Sequence, residues 1–209
     1  MAVSDRVGEV ILYIGRHAEV KKDKEGKMRG LLNDPLDEKG QRQADELAEL
    51  FADKYLAAAF TDDLKRTQQT IQPLAAKKEL KIQIDTELRS WDVGTELEGK
   101  SIEANKDKIQ QLKSQPDTIP VGGQSWRSYM EQVKRFFSRY WTMALDSGPI
   151  LLVLHGSGIQ IIWYMLGAME LGTAYDQTPL EPAGVAAIYL GRNGPMVKVL
   201  RGGKKVKDE

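Results

Sequence analysis

Three short apolar runs, VILYI at 10–14, LAAAF at 56–60 and ILLVL at 150–154, stand between turn residues. They lack the polar alternation of a half-solvated sheet, so they suit strands buried on both faces. A weaker strand is expected at KIQID, 81–85. Between the runs, apolar residues recur every three or four positions. Ala44, Leu47, Ala48, Phe51 and Tyr55 form one such series, and Trp126, Met130, Val133, Phe137, Tyr140 and Trp141 another. That spacing places one apolar stripe along a helix. Strands alternating with helices imply crossovers and hence a mostly parallel sheet. Near the C-terminus VAAIYL, 185–190, and MVKVL, 196–200, flank GRNGP, a hairpin signal. The expected fold is α/β: a three-layer sandwich, with a mostly parallel central sheet, helices on both faces and an antiparallel edge near the C-terminus.

A chain of 209 residues suits one domain, expected over 1–209. The polar stretch 100–125 contains Pro116, Pro120, Gly122 and Gly123. It reads as a short helix and a loop, serving as a lid, an insertion or a plain connection. Thirty basic and thirty acidic residues cancel, which gives no electrostatic reason to expect a nucleic-acid or membrane-surface partner. Cysteine is absent and only two histidines occur, so disulfides and thiolate metal sites are excluded and a transition metal would find few ligands. The apolar runs are too short to span a bilayer, and residues 1–20 lack the pattern of an export signal. A soluble, cytoplasmic protein is expected; its oligomeric state is left open.

Both histidines sit at the ends of buried-strand runs, His17 in VILYIGRHAE and His155 in ILLVLHGSG. Ligands of an open parallel sheet bind at the carboxyl ends of its strands, so residues leaving different strands there can converge. LAAAF is followed by TDDLKRTQQT, in which Thr61 or Asp62 can cap a helix and Arg66 lies about one turn in. With Arg16 beside His17, two guanidiniums and two imidazoles would gather near helix N-termini, whose backbone donors favour anions. Arginine's rigid donor fork matches phosphate oxygens and keeps its charge near neutrality. A neutral imidazole can attack phosphorus and form a phosphohistidine. The chemistry that fits these residues is phosphoryl transfer.

RHAE at 16–19 resembles the RHG motif of the histidine phosphatase superfamily, whose members include phosphoglycerate mutase-like enzymes. NDPLDEKGQRQA at 33–44, DDLKRTQQT and VLHG are similar to further motifs of that family in the same order. The resemblance implies a phosphate pocket of Arg16, His17, Arg66 and His155. In it His17 is the nucleophile, His155 contacts phosphate, no metal or other cofactor is required, and the substrate is a small phosphorylated molecule. Where the family carries L-R-E-x-D-x-G, this chain reads LRSWDVG, 88–94, so Ser90 replaces the usual proton-donating Glu. Asp92 is the nominated acid, with Glu96 and Glu98 behind it; alternatively Asp92 hydrogen-bonds its own backbone in a turn. Ala18 stands where the motif has Gly, and Gln124 where the family often has Glu.

The expected activity is metal-independent phosphomonoester hydrolysis through a phosphohistidine on His17. The alternatives are phosphoglycerate-mutase-type transfer, although LRSWDVG lacks the fuller E-R-H-Y-G pattern, and a catalytically silent phosphate-ester-binding module. Lys21, Lys22, Lys24, Lys27 and Arg29 form a basic loop after the nucleophile. It either steers an anion inward or is solvated and offset by nearby acids. Trp91 is a candidate to line the pocket.

Overall fold

The computed structural model describes residues 6–21, 25–169 and 178–203. Lys22 and Lys24 of the basic loop lie outside the described residues. Six strands form one sheet: β1 (Val10–Arg16), β2 (Ala58–Thr61), β3 (Ile82–Ile84), β4 (Ile150–Leu154), β5 (Leu180–Gly191) and β6 (Gly194–Gly203). Their spatial order is β3-β2-β4-β1-β5-β6. The first four strands pair in parallel, while β5 runs antiparallel to both β1 and β6. The fold is thus α/β with a mostly parallel sheet and an antiparallel edge at the C-terminal end.

Alternation along the strands sorts the core into two layers. Tyr13, Ala59, Leu151, Val153, Val185 and Ala187 face one side. There they pack against Leu47, Ala48 and Phe51 of α1 (Glu38–Leu50) and its end, and Ile71 and Leu74 of α2 (Lys65–Lys77). Leu12, Ile14, Ile150, Leu152 and Leu154 face the other side. That face is covered by α3 (Lys106–Ser114), α4 (Trp126–Ser147) and α5 (Gly156–Met165). On α4 the buried positions are Trp126, Tyr129, Val133, Phe136, Phe137, Tyr140 and Ala144, the stripe that a period of 3.6 demands.

Three elements differ from the sequence expectation in extent. α1 ends at Leu50, and Tyr55, expected in its stripe, is 70 % exposed; the chain has to turn there so that Ala57 N can donate to Pro149 O at 2.8 Å before β2. β5 begins at Leu180, well before the apolar run, because Ala183 adopts φ 57° and the pairing with β6 shifts register on either side of Val185. The stretch 101–125 is packed onto the body of the protein: Ile109 and Leu112 of α3 are buried in the main core. Thr95 N donates to Val121 O at 3.0 Å, and Gln124 N to Asp92 O at 2.9 Å.

The start of α1 presses directly on the chain that follows β1. Asp37 caps the helix by accepting from Gly40 N at 2.8 Å, and Asp37 N donates to Glu19 O at 3.1 Å. A Cβ on Gly40 would lie 2.0 Å from Glu19 O, a backbone atom that cannot swing aside. Gly40→Ala should therefore lower the unfolding free energy by about 1–3 kcal/mol despite alanine's better helix propensity. At Gly15 an added methyl would meet Val153 Cγ2 at an ordinary 3.7 Å, so Gly15→Ala should leave stability unchanged or raise it by up to about 1 kcal/mol. Denaturant unfolding of the two variants checks the contrast.

Candidate active site

The parallel register brings three strand ends level. Arg16 pairs with Leu154 across β1 and β4, and Thr61 with Val153 across β2 and β4. His17, His155 and Asp62 thus leave three neighbouring strands at one edge. His17 N donates to Leu154 O at 2.9 Å, carrying the ladder one residue beyond β1. The two imidazole centroids are 5.3 Å apart. A cavity of about 480 Å³ opens here. Arg16, His17, Arg66 and His155 all line it, with Gly156 and Ser157 from the first turn of α5. Lys27, Arg29 and Lys39 also reach its wall, against the carboxylates of Glu19 and Glu181. The excess of cations and the helix N-terminus both favour an anion. Of the basic loop, Lys27 and Arg29 thus belong to the cavity, and Lys27 also pairs with Glu25 at 2.9 Å.

His17 is 4 % exposed. Its Nδ1 lies 2.8 Å from Ala18 O; since a carbonyl can only accept, Nδ1 carries the proton and Nε2 the lone pair. Burial, then the charges of Arg66, His155, Arg16 and Arg29, hold the imidazole well below its ordinary titration range, so it stays neutral. The backbone around it is fixed from both sides. Ala183 N donates to His17 O at 3.1 Å, and Ala18 N to Thr70 Oγ1 at 2.8 Å. Thr70 Oγ1 donates in turn to Arg66 O at 2.6 Å. Ala18 is buried and is not among the residues with positive φ, so alanine serves where the motif has glycine.

His155 and Arg66 form a buried network with Asp62. Their exposures are 3 %, 1 % and 0 %. His155 Nε2 donates to Asp62 Oδ2 at 2.5 Å, and Arg66 Nε donates to His155 Nδ1 at 3.3 Å. Both ring nitrogens therefore have protein partners, and in this tautomer Nδ1 accepts, so it offers a phosphate oxygen no proton. Arg66 Nη2 donates to Gly30 O at 3.0 Å and Nη1 to Leu32 O. Burial lowers the His155 titration; Asp62 opposes and Arg66 reinforces, and the net direction is down. For Asp62 burial acts upward, but His155, Thr67 and the Leu64 N–H outweigh it and hold the carboxyl below its ordinary value.

Several sequence expectations need correction here. Neither Thr61 nor Asp62 occupies the N-cap of α2, which falls on Leu64 without a side-chain bond. Arg66 is the second residue of that helix, and Lys65 N is served by Asn33 Oδ1 at 2.7 Å. Asp92 does not reach the cavity: its Oδ1 accepts from Gly94 N at 3.0 Å, the turn alternative rather than the acid. Glu96 is directed to Lys108 on the surface at 2.5 Å, and Glu98 Oε1 accepts from Leu31 N at 2.7 Å; neither lines the cavity. Trp91 is 1 % exposed and packs edge-on against Trp126 at 4.9 Å. Ser90 does line the cavity, its Oγ 3.4 Å from Ser157 Oγ. Sequence reasoning does not reach Asp62, Thr70 and Asn33 as site residues. For Asp62 the available signal was an acid leaving a strand run at the same level as His155. Among the described residues no group of three or more His, Cys, Asp or Glu side chains converges as a metal site, and no helix is long and apolar enough to cross a membrane.

Residues 12–201 match the histidine phosphatase superfamily (branch 1). A probable phosphoglycerate mutase of Cronobacter sakazakii is 29 % identical over 152 residues, 71 % of this chain and 70 % of that protein. A phosphoglycerate mutase structure from Thermus thermophilus superposes with a TM-score of 0.69 at 25 % identity, covering 92 % of this chain and 98 % of its own. An alpha-ribazole phosphatase structure from Shigella flexneri has a TM-score of 0.76 at 21 % identity, covering 94 % and 99 %, a likeness of fold.

Both imidazoles titrate lower in the folded than in the unfolded chain, so below the ordinary histidine value of 6.5 the unfolded state binds more protons. Stability is then complete above that value and declines as pH falls beneath it, by up to about 1.4 kcal/mol per pH unit for each ring. Asp62 adds a further loss only below its ordinary value of 3.8. Denaturant midpoints at pH 7.5 and 5.5 should show this decline, and His17→Asn should make it shallower.

Proposed function

Because the chain belongs to the histidine phosphatase superfamily, we propose that it is a metal-independent phosphomonoester hydrolase working through a phosphohistidine on His17, with a small phosphorylated molecule as substrate. The observation that carries this reading is the state of His17. Its proton is held on Nδ1 by Ala18 O, its ring is kept neutral by burial and surrounding cations, and it faces a cationic cavity. An imidazole so arranged offers Nε2 to phosphorus at neutral pH.

Arg16 and Arg66 supply the charge that the transferring phosphoryl group needs, helped by the α5 N-terminus. Arg16 is steadied by its Nη1 bond to Leu180 O at 2.9 Å. Asp62 fixes His155 in the Nε2–H tautomer, and His155 in turn sets the plane of Arg66. The Nε2 lone pair forms the N–P bond while the P–O bond breaks; water then attacks phosphorus and restores the imidazole. Hydrolysis is favoured over return of the phosphoryl group to substrate because Ser90 and LRSWDVG depart from the mutase pattern.

Aryl phosphate turnover tests the reading. His17→Ala should lower kcat by roughly 10³-fold or more and abolish the acid-labile phosphoenzyme, while a chelator leaves the wild-type rate unchanged. With phosphoglycerate as substrate, net phosphate release supports the hydrolase, and isomerisation without release supports the mutase.

A further inference from the structure

Transfer of a phosphoryl group to His17 leaves an oxygen carrying the electrons of the broken P–O bond. An alkoxide is a poor leaving anion, its conjugate acid being about as weak as water, so alkyl esters need a proton donor beside the leaving oxygen. A carboxylate, a phosphate or a phenolate needs little or none.

The described cavity wall is poor in such donors. Its carboxylates are those of Glu19 and Glu181. Glu19 is tied to Lys39 Nζ at 2.6 Å. Glu181 is exposed at the mouth, at the start of β5. Asp92, Glu96 and Glu98 are each engaged elsewhere, with Gly94 N, Lys108 and Leu31 N. The wall position at 90 carries a hydroxyl. Ser90 Oγ is 3.4 Å from Ser157 Oγ, which is 3.0 Å from Tyr129 OH, and Tyr129 is 1 % exposed. This chain of three hydroxyls contains no carboxylic acid.

Resting on the phosphohistidine reading, we propose that the site is selective for phosphoryl compounds whose leaving oxygen departs as a stable anion, namely acyl phosphates, phosphoanhydrides and aryl phosphates, and that Ser90 sets this selectivity. The His17 Nε2 lone pair forms the N–P bond, and the P–O pair leaves with the oxygen as carboxylate, phosphate or phenolate, with no proton supplied. Water then forms the new P–O bond and the N–P pair returns to Nε2. Dihydrogen phosphate is released and gives its excess proton to solvent. Lys27 and Arg29 on the same wall suit a leaving group that is itself anionic.

The test measures kcat/KM, which reports the first transfer however slowly His17 is dephosphorylated, for a series of aryl phosphates, acetyl phosphate, pyrophosphate and glycerol phosphate. For the wild type, kcat/KM should fall roughly a hundredfold from 4-nitrophenyl to phenyl phosphate, with glycerol phosphate slower still. Acetyl phosphate and pyrophosphate distinguish the two natural sources of a stable leaving anion. Ser90→Ala should keep the steep series, and Ser90→Glu should compress it to about tenfold or less and gain glycerol phosphate hydrolysis. A flat wild-type series, or glycerol phosphate turned over as fast as 4-nitrophenyl phosphate, overturns the proposal even if Ser90→Glu does not fold. Acid-labile phosphohistidine trapped alongside a flat series overturns only this inference. Its absence with every substrate overturns the underlying phosphatase reading as well.

Discussion

The hydrogen-bonded ladder between β1 and β4 is the constraint on which the site depends. Its parallel register sets Arg16 opposite Leu154 and continues one bond further, through His17 N and Leu154 O. A shift by one residue would turn His17 to the opposite face of the sheet and bury the wrong side of VILYI. The same shift would separate the two rings that now lie 5.3 Å apart. Core packing and site geometry are thus fixed by one register. The side chains that enforce it, Leu12 and Ile14 on one face and Tyr13 on the other, lie three to five residues from the nucleophile.

Around that frame the site concentrates positive charge where water is scarce. Arg66 is nearly inaccessible, and its Nε donates to the ring of His155. Asp62 offsets part of that charge through His155, at one remove. The ring of His155 stands between the Asp62 carboxylate and the Arg66 Nε, linking the two charges through one imidazole. Thr70 joins this group to the nucleophile loop, since one hydroxyl accepts from Ala18 N and donates to Arg66 O. Displacement of the α2 helix would therefore move both the nucleophile loop and the arginine.

The layered architecture, and the gathering of Arg16, His17, Arg66 and His155 at one edge, could be read from the chain because both rest on periodicity and on strand ends. Buried parallel strands are written as unbroken apolar runs, and the residues after each run must emerge at the carboxyl edge. Asp62 was harder to see: an acid between a strand and a helix is chemically suited to capping, and only the lateral distance to His155 distinguishes the two roles. Asp92 lies off the cavity wall with its Oδ1 on Gly94 N, and the motif alone does not distinguish such a turn from a carboxylate facing the cavity. The early start of β5 was hidden because its first residues carry Pro182 and a left-handed Ala183, which break the pattern that marks a strand.

Three donors of Arg66 are already committed, to Gly30 O, Leu32 O and His155 Nδ1. A long, rotamer-rich side chain ordinarily surrenders conformational entropy when it closes on an anion. Here that entropy was lost when the chain folded, and the 30–32 loop was ordered along with the arginine. At Arg66 the cavity consequently meets its ligand with a side chain already set, so that recognition there is governed by the shape and charge of the incoming group more than by accommodation of the arginine to it.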